Sequence, residues 1–257
     1  MTLIPYRLTG PIGSRATLGL IVLQVDETIE QDFRRLFTDP QIALHISRIP
    51  SGDDLNPDTI GQMAIDLPRA AALLPPAAAF DSVAYACTSG TTLIGADRVA
   101  DMVKAATHTR HVADPLSAAL AALAQLKLRT VGIVSPYIDS VSQPIRRAFE
   151  AAGFAVPTCV SFGETIEARV ARIDPASIRE AALAVGRSAG VEAVFLSCTN
   201  LRTLDILDDL EQTLGLPVIS SNQALAWFMA RQCGLTMPGD APGGLTRDLR
   251  PSGRHSA

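Results

Sequence analysis

The sequence predicts an α/β protein made of two similar halves, and three observations carry that reading. Hydrophobic residues make up 47% of the 257-residue chain but aromatic residues only 5%. This composition, rich in Ala, Leu, Val and Ile, suits alternating helices and buried strands better than an aromatic-rich β sandwich. Short apolar runs alternate with segments of helical periodicity. From residue 130 the alternation restarts, and "YACTSG" in the first half returns as "LSCTNL" in the second. The length fits either one large α/β unit or two lobes of roughly 100 to 130 residues.

"TLGLIVLQV" at 17–25 reads as a buried strand, and "DETIEQDFRRLF" after it as a helix with acids in its first turn and Arg34 and Arg35 later. "IALHISRI" alternates as a strand does, and "NPDTIGQMAIDLPRAAALL" is helical with a proline near its start. "SVAYAC" is a short buried strand and "GTTLIGADRVADMVKAA" one helix. "TRHVADPLSAALAALAQL" supplies a strand and a long helix opened by Asp114 and Pro115.

The second half runs strand "TVGIVSPY", helix "IDSVSQPIRRAFEAAG", strand "AVPTCVSF", helix "DPASIREAALAVGRSAG" and strand "AVFLSC". It continues with helix "NLRTLDILDDLEQTLG", strand "LPVISS" and helix "NQALAWFMARQCG". Gly153, Gly190, Gly215 and Gly234 fall where helices end on glycine. Cys87 and Cys198 are 111 positions apart, as are Asp26 and Tyr137, although the flanking glycines shift the first-strand register by about two. The expected lobes are 16–114 and 115–235, with helices free to exchange between them. The Pro/Gly/Arg-rich tail, 236–257, is expected to be loose or packed as an extended arm.

A net charge of -4 and a pI near 5.6, with Lys and Arg scattered, speak against nucleic-acid binding. The longest apolar runs are short or broken by proline, which speaks against a membrane span. The N-terminus lacks a basic segment followed by an apolar core, so a cytoplasmic location is expected. Four dispersed cysteines, with no CxxC pair, should then be free thiols. His108 and His111 have no third ligand nearby, and "GPIGS" neither follows a strand nor carries a phosphate-loop Lys, so no metal and no cofactor are expected.

Ligands of parallel α/β sheets gather outside the carboxyl ends of strands, and Cys87 and Cys198 both sit at such ends, each before a segment read as a helix. The free N–H groups of a helix start lower a thiol pKa toward neutrality and suit a substrate carboxylate. Both thiols should therefore alkylate ahead of Cys159 and Cys233, which lack this context. Thr88, Ser89, Thr199 and Asn200 add uncharged donors. Tyr137 is either a hydroxyl donor to substrate or a half-buried strand-end aromatic. Asp26 is a helix N-cap that can also be a site residue. Ser220 and Ser221 read as caps of the last helix.

These residues resemble the aspartate/glutamate racemase superfamily, in the branch of maleate cis-trans isomerase, arylmalonate decarboxylase and the ectoine-utilisation protein A. The likeness covers roughly residues 16–235 and is carried by "GLIVLQVDETIEQDF", "YACTSGTTLIG", "VGIVSPYIDSV", "FGETIEARVARIDP", "LSCTNLRTLDIL" and "LGLPVISSNQALAW". It implies two pseudo-symmetric lobes with the active site in the cleft between them, and chemistry without a cofactor on a small carboxylate. Cys87 takes the place of the nucleophile of maleate isomerisation, and Cys198 that of the proton donor and acceptor.

Where maleate isomerase has Asn, this chain has Asp26, and a second Asn of that enzyme falls near Thr165, so both join the substrate-binding candidates. A carboxylate at Asp26 favours a substrate bearing an ammonium, or orients Cys87. Cis-trans isomerisation through cysteine addition is the leading expectation. The alternatives are racemisation of an amino acid or its derivative, an arylmalonate-type decarboxylation, which Cys87 argues against, and a non-catalytic metabolite-binding protein. The sequence leaves room for a homo-oligomer.

Overall fold

Strands long enough to cross a core, and apolar on both faces, pack as parallel sheets covered by helices on each side. Here β1 (Ala16–Leu23) is buried at every position, and β2 (Ile42–Ile49), β3 (Phe80–Ala86) and β4 (Thr109–Ala113) complete a parallel sheet of order β2-β1-β3-β4. The second sheet repeats the plan with β5 (Val131–Tyr137), β6 (Cys159–Glu164), β7 (Ala193–Leu196) and β8 (Val218–Ser220), in the order β6-β5-β7-β8. These features belong to a computed structural model that describes residues 1, 3–52 and 57–249. Asn56, at the expected start of the second helix, and the tail from 250 onward lie outside the described residues.

In both sheets the strand order reverses direction beside the first strand, which opens a crevice at the carboxyl ends of β1 and β3 and of β5 and β7. The register makes the duplication concrete. Gly19 of β1 pairs with Val83, four residues before Cys87, and Gly132 of β5 pairs with Val194, four residues before Cys198. In this frame Tyr137 corresponds to Gln24, and Asp26 to Asp139. The equal spacing of Asp26 and Tyr137 is therefore not a structural equivalence.

The helices follow the apolar periodicity: α1 (Ile29–Leu36), α2 (Pro57–Ala72), α3 (Thr88–Ile94), α4 (Ala96–Ala106), α5 (Pro115–Gln125), α6 (Asp139–Ala151), α7 (Glu167–Val170), α8 (Pro175–Gly186), α9 (Leu207–Leu214) and α10 (Ser221–Gln232). Asp114 caps α5 by accepting from the Ser117 N–H at 2.8 Å. The four glycines expected at helix ends all have positive φ, between 62° and 89°.

Three expectations are corrected. Gly95, at φ 94°, splits the single helix expected over 90–106 into α3 and α4. The helix expected from Asn200 begins only with a 3-10 turn at Leu204–Ile206, because the chain after Cys198 is drawn into the site. The tail is not an extended arm as far as it is described: Ala241 and Leu245 are buried, and Gly244–Leu249 forms a 3-10 turn packed on α10.

The helix α10, last in the chain, lies against α5, α1, β3 and β4 of the first sheet. Gln232 fastens it there, accepting from the Ser82 hydroxyl at 2.8 Å and donating to the Val112 carbonyl at 3.3 Å. Its first residues thus bridge the two half-sites. Among the described residues no helix is long and apolar enough to cross a membrane.

Candidate active site at the junction of the two sheets

Each crevice contributes a thiol. Cys87 follows β3 directly and is the N-cap of α3, its Sγ accepting from the Gly90 N–H at 3.2 Å with the Ser89 hydroxyl 3.6 Å away. The Tyr85 hydroxyl also faces this sulfur. Cys198, two residues beyond β7, has φ 147°, a strained conformation for a side-chain-bearing residue of the kind that gathers at functional sites. Its Sγ accepts from the Asn200 N–H at 3.3 Å, and the Tyr137 hydroxyl faces it as a donor.

Tyr137, 2% exposed, is held as a neutral phenol by burial, with its hydroxyl on Cys198.

Residues outside the cysteines brace the junction. Ser220 caps α10 as expected, accepting from the Gln223 N–H, but Ser221 does not act as a cap. Its hydroxyl accepts from the Cys198 N–H at 3.0 Å and lies 3.0 Å from the Thr88 hydroxyl, joining the segment after one thiol to the backbone of the other. The Thr199 hydroxyl donates to the Ala86 carbonyl at 3.2 Å, back across to the first sheet. Thr88 and Thr199 thus hold the frame, which leaves the Ser89 and Tyr85 hydroxyls at Cys87 and the Tyr137 hydroxyl at Cys198 as side-chain donors to the sulfurs.

Asn200 ties three segments. Its Oδ1 accepts from the Glu27 N–H at 2.9 Å, and its Nδ2 donates to the Glu167 carboxylate and the Glu167 carbonyl, both at 3.3 Å. Asp26 is not the N-cap of α1, which is Thr28, but from two residues ahead one of its oxygens accepts from the Thr28 and Ile29 N–H groups at 2.8 and 2.9 Å. Its other oxygen, Oδ2, is buried with no hydrogen-bond partner. Thr165 is not brought into this cluster. It is exposed, and its segment delivers Glu167 instead.

Glu167 and Tyr85 are the residues that sequence reasoning missed, and Ser221, read as a cap, proves to line the junction instead. Glu167 is 2% exposed, and its Oε1 accepts from the Cys198 thiol at 3.9 Å. Nothing local marks it, because its burial comes from a four-residue helix closing on the Cys198 segment. Ser221 is a polar residue just past a cap, and Tyr85 lies two residues before Cys87 on a strand where its outward or inward direction depends on register.

Burial dominates the electrostatics. It pushes the Cys87 thiol up to about 11, against the pull of Ser89, the Gly90 N–H and Tyr85. Burial, and then the adjacent Glu167 charge, push the Cys198 thiol well above its ordinary value. Burial likewise raises Asp26, and lifts Glu167 and Asp32 to about 7. The expectation of near-neutral thiols is therefore corrected. A helix start does reach Cys87, but loss of solvent outweighs one N–H donor, and no helix starts at Cys198.

The resting site holds two neutral thiols. With iodoacetamide, Cys87 labelling is expected to rise about tenfold per pH unit and to be still rising at pH 10. Burial pushes Cys233 up to about 11 as well and raises Cys159, so these two should react first at pH 7 through their half-buried access to reagent and not through acidity. Site-resolved mass spectrometry checks this, and a Cys87 inflection near pH 7 would contradict it.

Comparison with known proteins places this geometry. Residues 68–246 match the family model described as arylmalonate decarboxylase. The chain is 36% identical over 120 residues to the arylmalonate decarboxylase of Bordetella bronchiseptica, which covers 46% of this chain and 50% of that protein, so the match spans about half of that relative. It is 23% identical over 249 residues to the maleate isomerase of Alcaligenes faecalis, covering 91% of this chain and 97% of that one. Among solved structures, a mutant of the Nocardia farcinica maleate cis-trans isomerase with a covalently bound succinylcysteine intermediate superposes with a TM-score of 0.79. The identity is 21%, over 91% of this chain and 98% of that one.

Proposed function

The chain belongs to the arylmalonate decarboxylase family, and from that footing we propose that it is a cofactor-independent isomerase of a small carboxylic acid, working through Cys87 and Cys198. One observation carries the reading. Thiols from corresponding strand ends of the two sheets are both buried, and Ser221 joins their segments, accepting from the Cys198 N–H and meeting the hydroxyl of Thr88, the residue after Cys87. A protein that only held a carboxylate would need the donors and not the two sulfurs.

In this reading the Cys87 thiol gives its proton to a carboxylate of an unsaturated diacid, which returns it on release, and the thiolate so formed adds to the double bond. The new C–S bond forms as the π electrons move to the carbon beside the far carboxylate. The remaining single bond rotates, and the same electrons expel the thiolate to give the trans acid. Gly90, Ser89 and Tyr85 supply donors that stabilise the thiolate when it forms. Cys198 gives and takes the proton where the intermediate is protonated. The succinylcysteine of the Nocardia farcinica relative supports an adduct on sulfur. The four free cysteines suit the reducing cytoplasm.

A second reading, racemisation of an acid that carries an ammonium, draws on the unpaired Asp26 Oδ2 and on Glu167. Arg48, whose charge reaches Asp26, is itself held by the Leu23, Gln24 and Asp26 carbonyls and by Glu30, so a substrate ammonium would add to a weak local positive field.

The test assays maleate, aspartate, glutamate, diaminobutyrate derivatives and an arylmalonate in parallel, after exhaustive chelation and with no added cofactor. Formation of the trans diacid from maleate is the expected result. Interconversion of enantiomers selects the second reading, and release of carbon dioxide from the arylmalonate would sink both.

A further inference from the structure

The two thiols have unlike neighbours. Cys87 is ringed by the Ser89 hydroxyl, the Gly90 N–H and the Tyr85 hydroxyl, with no carboxylate bonded to it. Cys198 has a carboxylate at hydrogen-bond reach, Glu167 Oε1 at 3.9 Å. Asn200 brackets this pair from both sides, its N–H on the sulfur at 3.3 Å and its Nδ2 on Oε1 at 3.3 Å. A carboxylate placed only to tether α7 would be served by the Asn200 contact alone, whereas this one also receives the thiol.

We propose that Glu167 is the proton-positioning residue of Cys198, taking the thiol proton as the thiolate forms and returning it when the sulfur is reprotonated. The S–H bond breaks with its electron pair left on sulfur, and the proton becomes the O–H of the Glu167 carboxylic acid. No other reactant is needed. The proposal rests on the reading of Cys198 as a reactive thiol and divides the labour: Cys87 is built to carry negative charge, Cys198 to pass a proton.

The ionisable groups facing Glu167 are Asp26, Cys198, Tyr137 and Cys87. On its own element Arg169 is paired with Glu164, and just beyond it Arg172 is paired with Glu27. With its acid form favoured by burial up to about pH 7, Glu167 becomes a proton acceptor above that value. Transfer within the pair keeps the total proton count constant, so the thiolate fraction it creates no longer depends on pH once Glu167 has ionised.

The experiment follows iodoacetamide labelling of Cys198 in the folded full chain from pH 5.5 to 9.5, resolved by mass spectrometry, for the wild type, E167Q and E167D. Cys159, whose charged neighbours are Arg146 and Asp139 and not Glu167, serves as the internal control. Wild-type Cys198 is expected to climb to about pH 7 and then flatten. In E167Q the flat region disappears, and labelling at pH 7.5 falls at least about tenfold below the wild type. A merely electrostatic or structural neighbour gives the opposite sign, because removing an adjacent negative charge makes the thiolate easier to form. E167Q labelling as fast as or faster than the wild type at pH 7.5 therefore overturns the proposal.

E167D keeps the carboxylate but draws it back from the sulfur, so it should displace the flat region. If E167Q does not fold, an unmoved E167D profile overturns the proposal instead. Failure of the underlying reading looks different. Near wild-type turnover by Cys198→Ala on the best substrate defeats the thiol pair, whereas lost turnover together with fast E167Q labelling defeats only the role of Glu167.

Discussion

Cys87→Ser is expected to lose turnover by more than about 10⁴-fold, the largest effect of any single change in the site. Two facts combine. A serine hydroxyl ionises far less readily than a thiol, and burial that already pushes Cys87 up to about 11 would penalise an alkoxide even more. Cys198→Ser should be milder, at about 10² to 10⁴, the range for losing a general acid or base. In that variant the addition step survives and the carbanion takes a proton from solvent that no thiolate at 198 then removes, so an adduct of substrate mass should accumulate on Cys87 and be visible in the intact-protein spectrum. A racemase leaves another signature: neither variant gathers an adduct, and each still exchanges the α-proton of one enantiomer with deuterated solvent. If both variants keep near wild-type turnover on the best substrate found, the sulfurs are packing residues and the thiol mechanism fails.

The fold was legible because its elements announce themselves locally. Strand β2 runs over the same residues, Ile42–Ile49, that alternate in the sequence, and α5 starts where an Asp-Pro pair provides both cap and first turn. The repeated cysteine-threonine order marked the strand ends that carry the thiols. Contacts between distant segments were not legible. Asp26 could be read as a cap, but that Thr28 starts α1 while Asp26 keeps one oxygen buried without a partner depends on the packing around the segment.

The expected thiol acidity failed for a related reason. The N–H donors at a helix start follow from sequence, while desolvation depends on two sheets, Tyr85, Tyr137 and Glu167 closing around the sulfurs. Thr165 and Glu167 differ by two positions on one segment, yet one faces solvent and the other the site. No pattern in "GETIEAR" separates them, because the helix that starts at Glu167 is a single turn.

Gly90→Ala tests whether the packing around Cys87 sets its reactivity, and it should separate activity from stability. A Cβ at Gly90 would lie 2.4 Å from the Tyr85 hydroxyl oxygen and 2.9 Å from Cys87 Sγ, both closer than packed atoms tolerate. Tyr85 is fully buried and its hydroxyl meets Met63 Sδ at 3.2 Å, so the ring has little room to retreat. Overpacking of this kind costs about 1 to 3 kcal/mol, but Ala in place of Gly inside a helix returns about 0.8 to 1 kcal/mol, so the net loss of stability should be small.

The strain falls on the thiol. Displacing it by about 1 Å is enough to cost about 10² in rate, so kcat should drop by that order while Tm falls by only a few degrees. Gly61→Ala is the control, since its Cβ in α2 meets nothing within 4 Å and the substitution should raise Tm without touching turnover. Adding Tyr85→Phe to Gly90→Ala removes the oxygen in closest contact, and a partial recovery of kcat in the double variant would locate the damage in the Tyr85–Cys87 contact. Wild-type kcat in Gly90→Ala alone would mean that the sulfur tolerates displacement, and that its position is set from the substrate side rather than by the wall behind it.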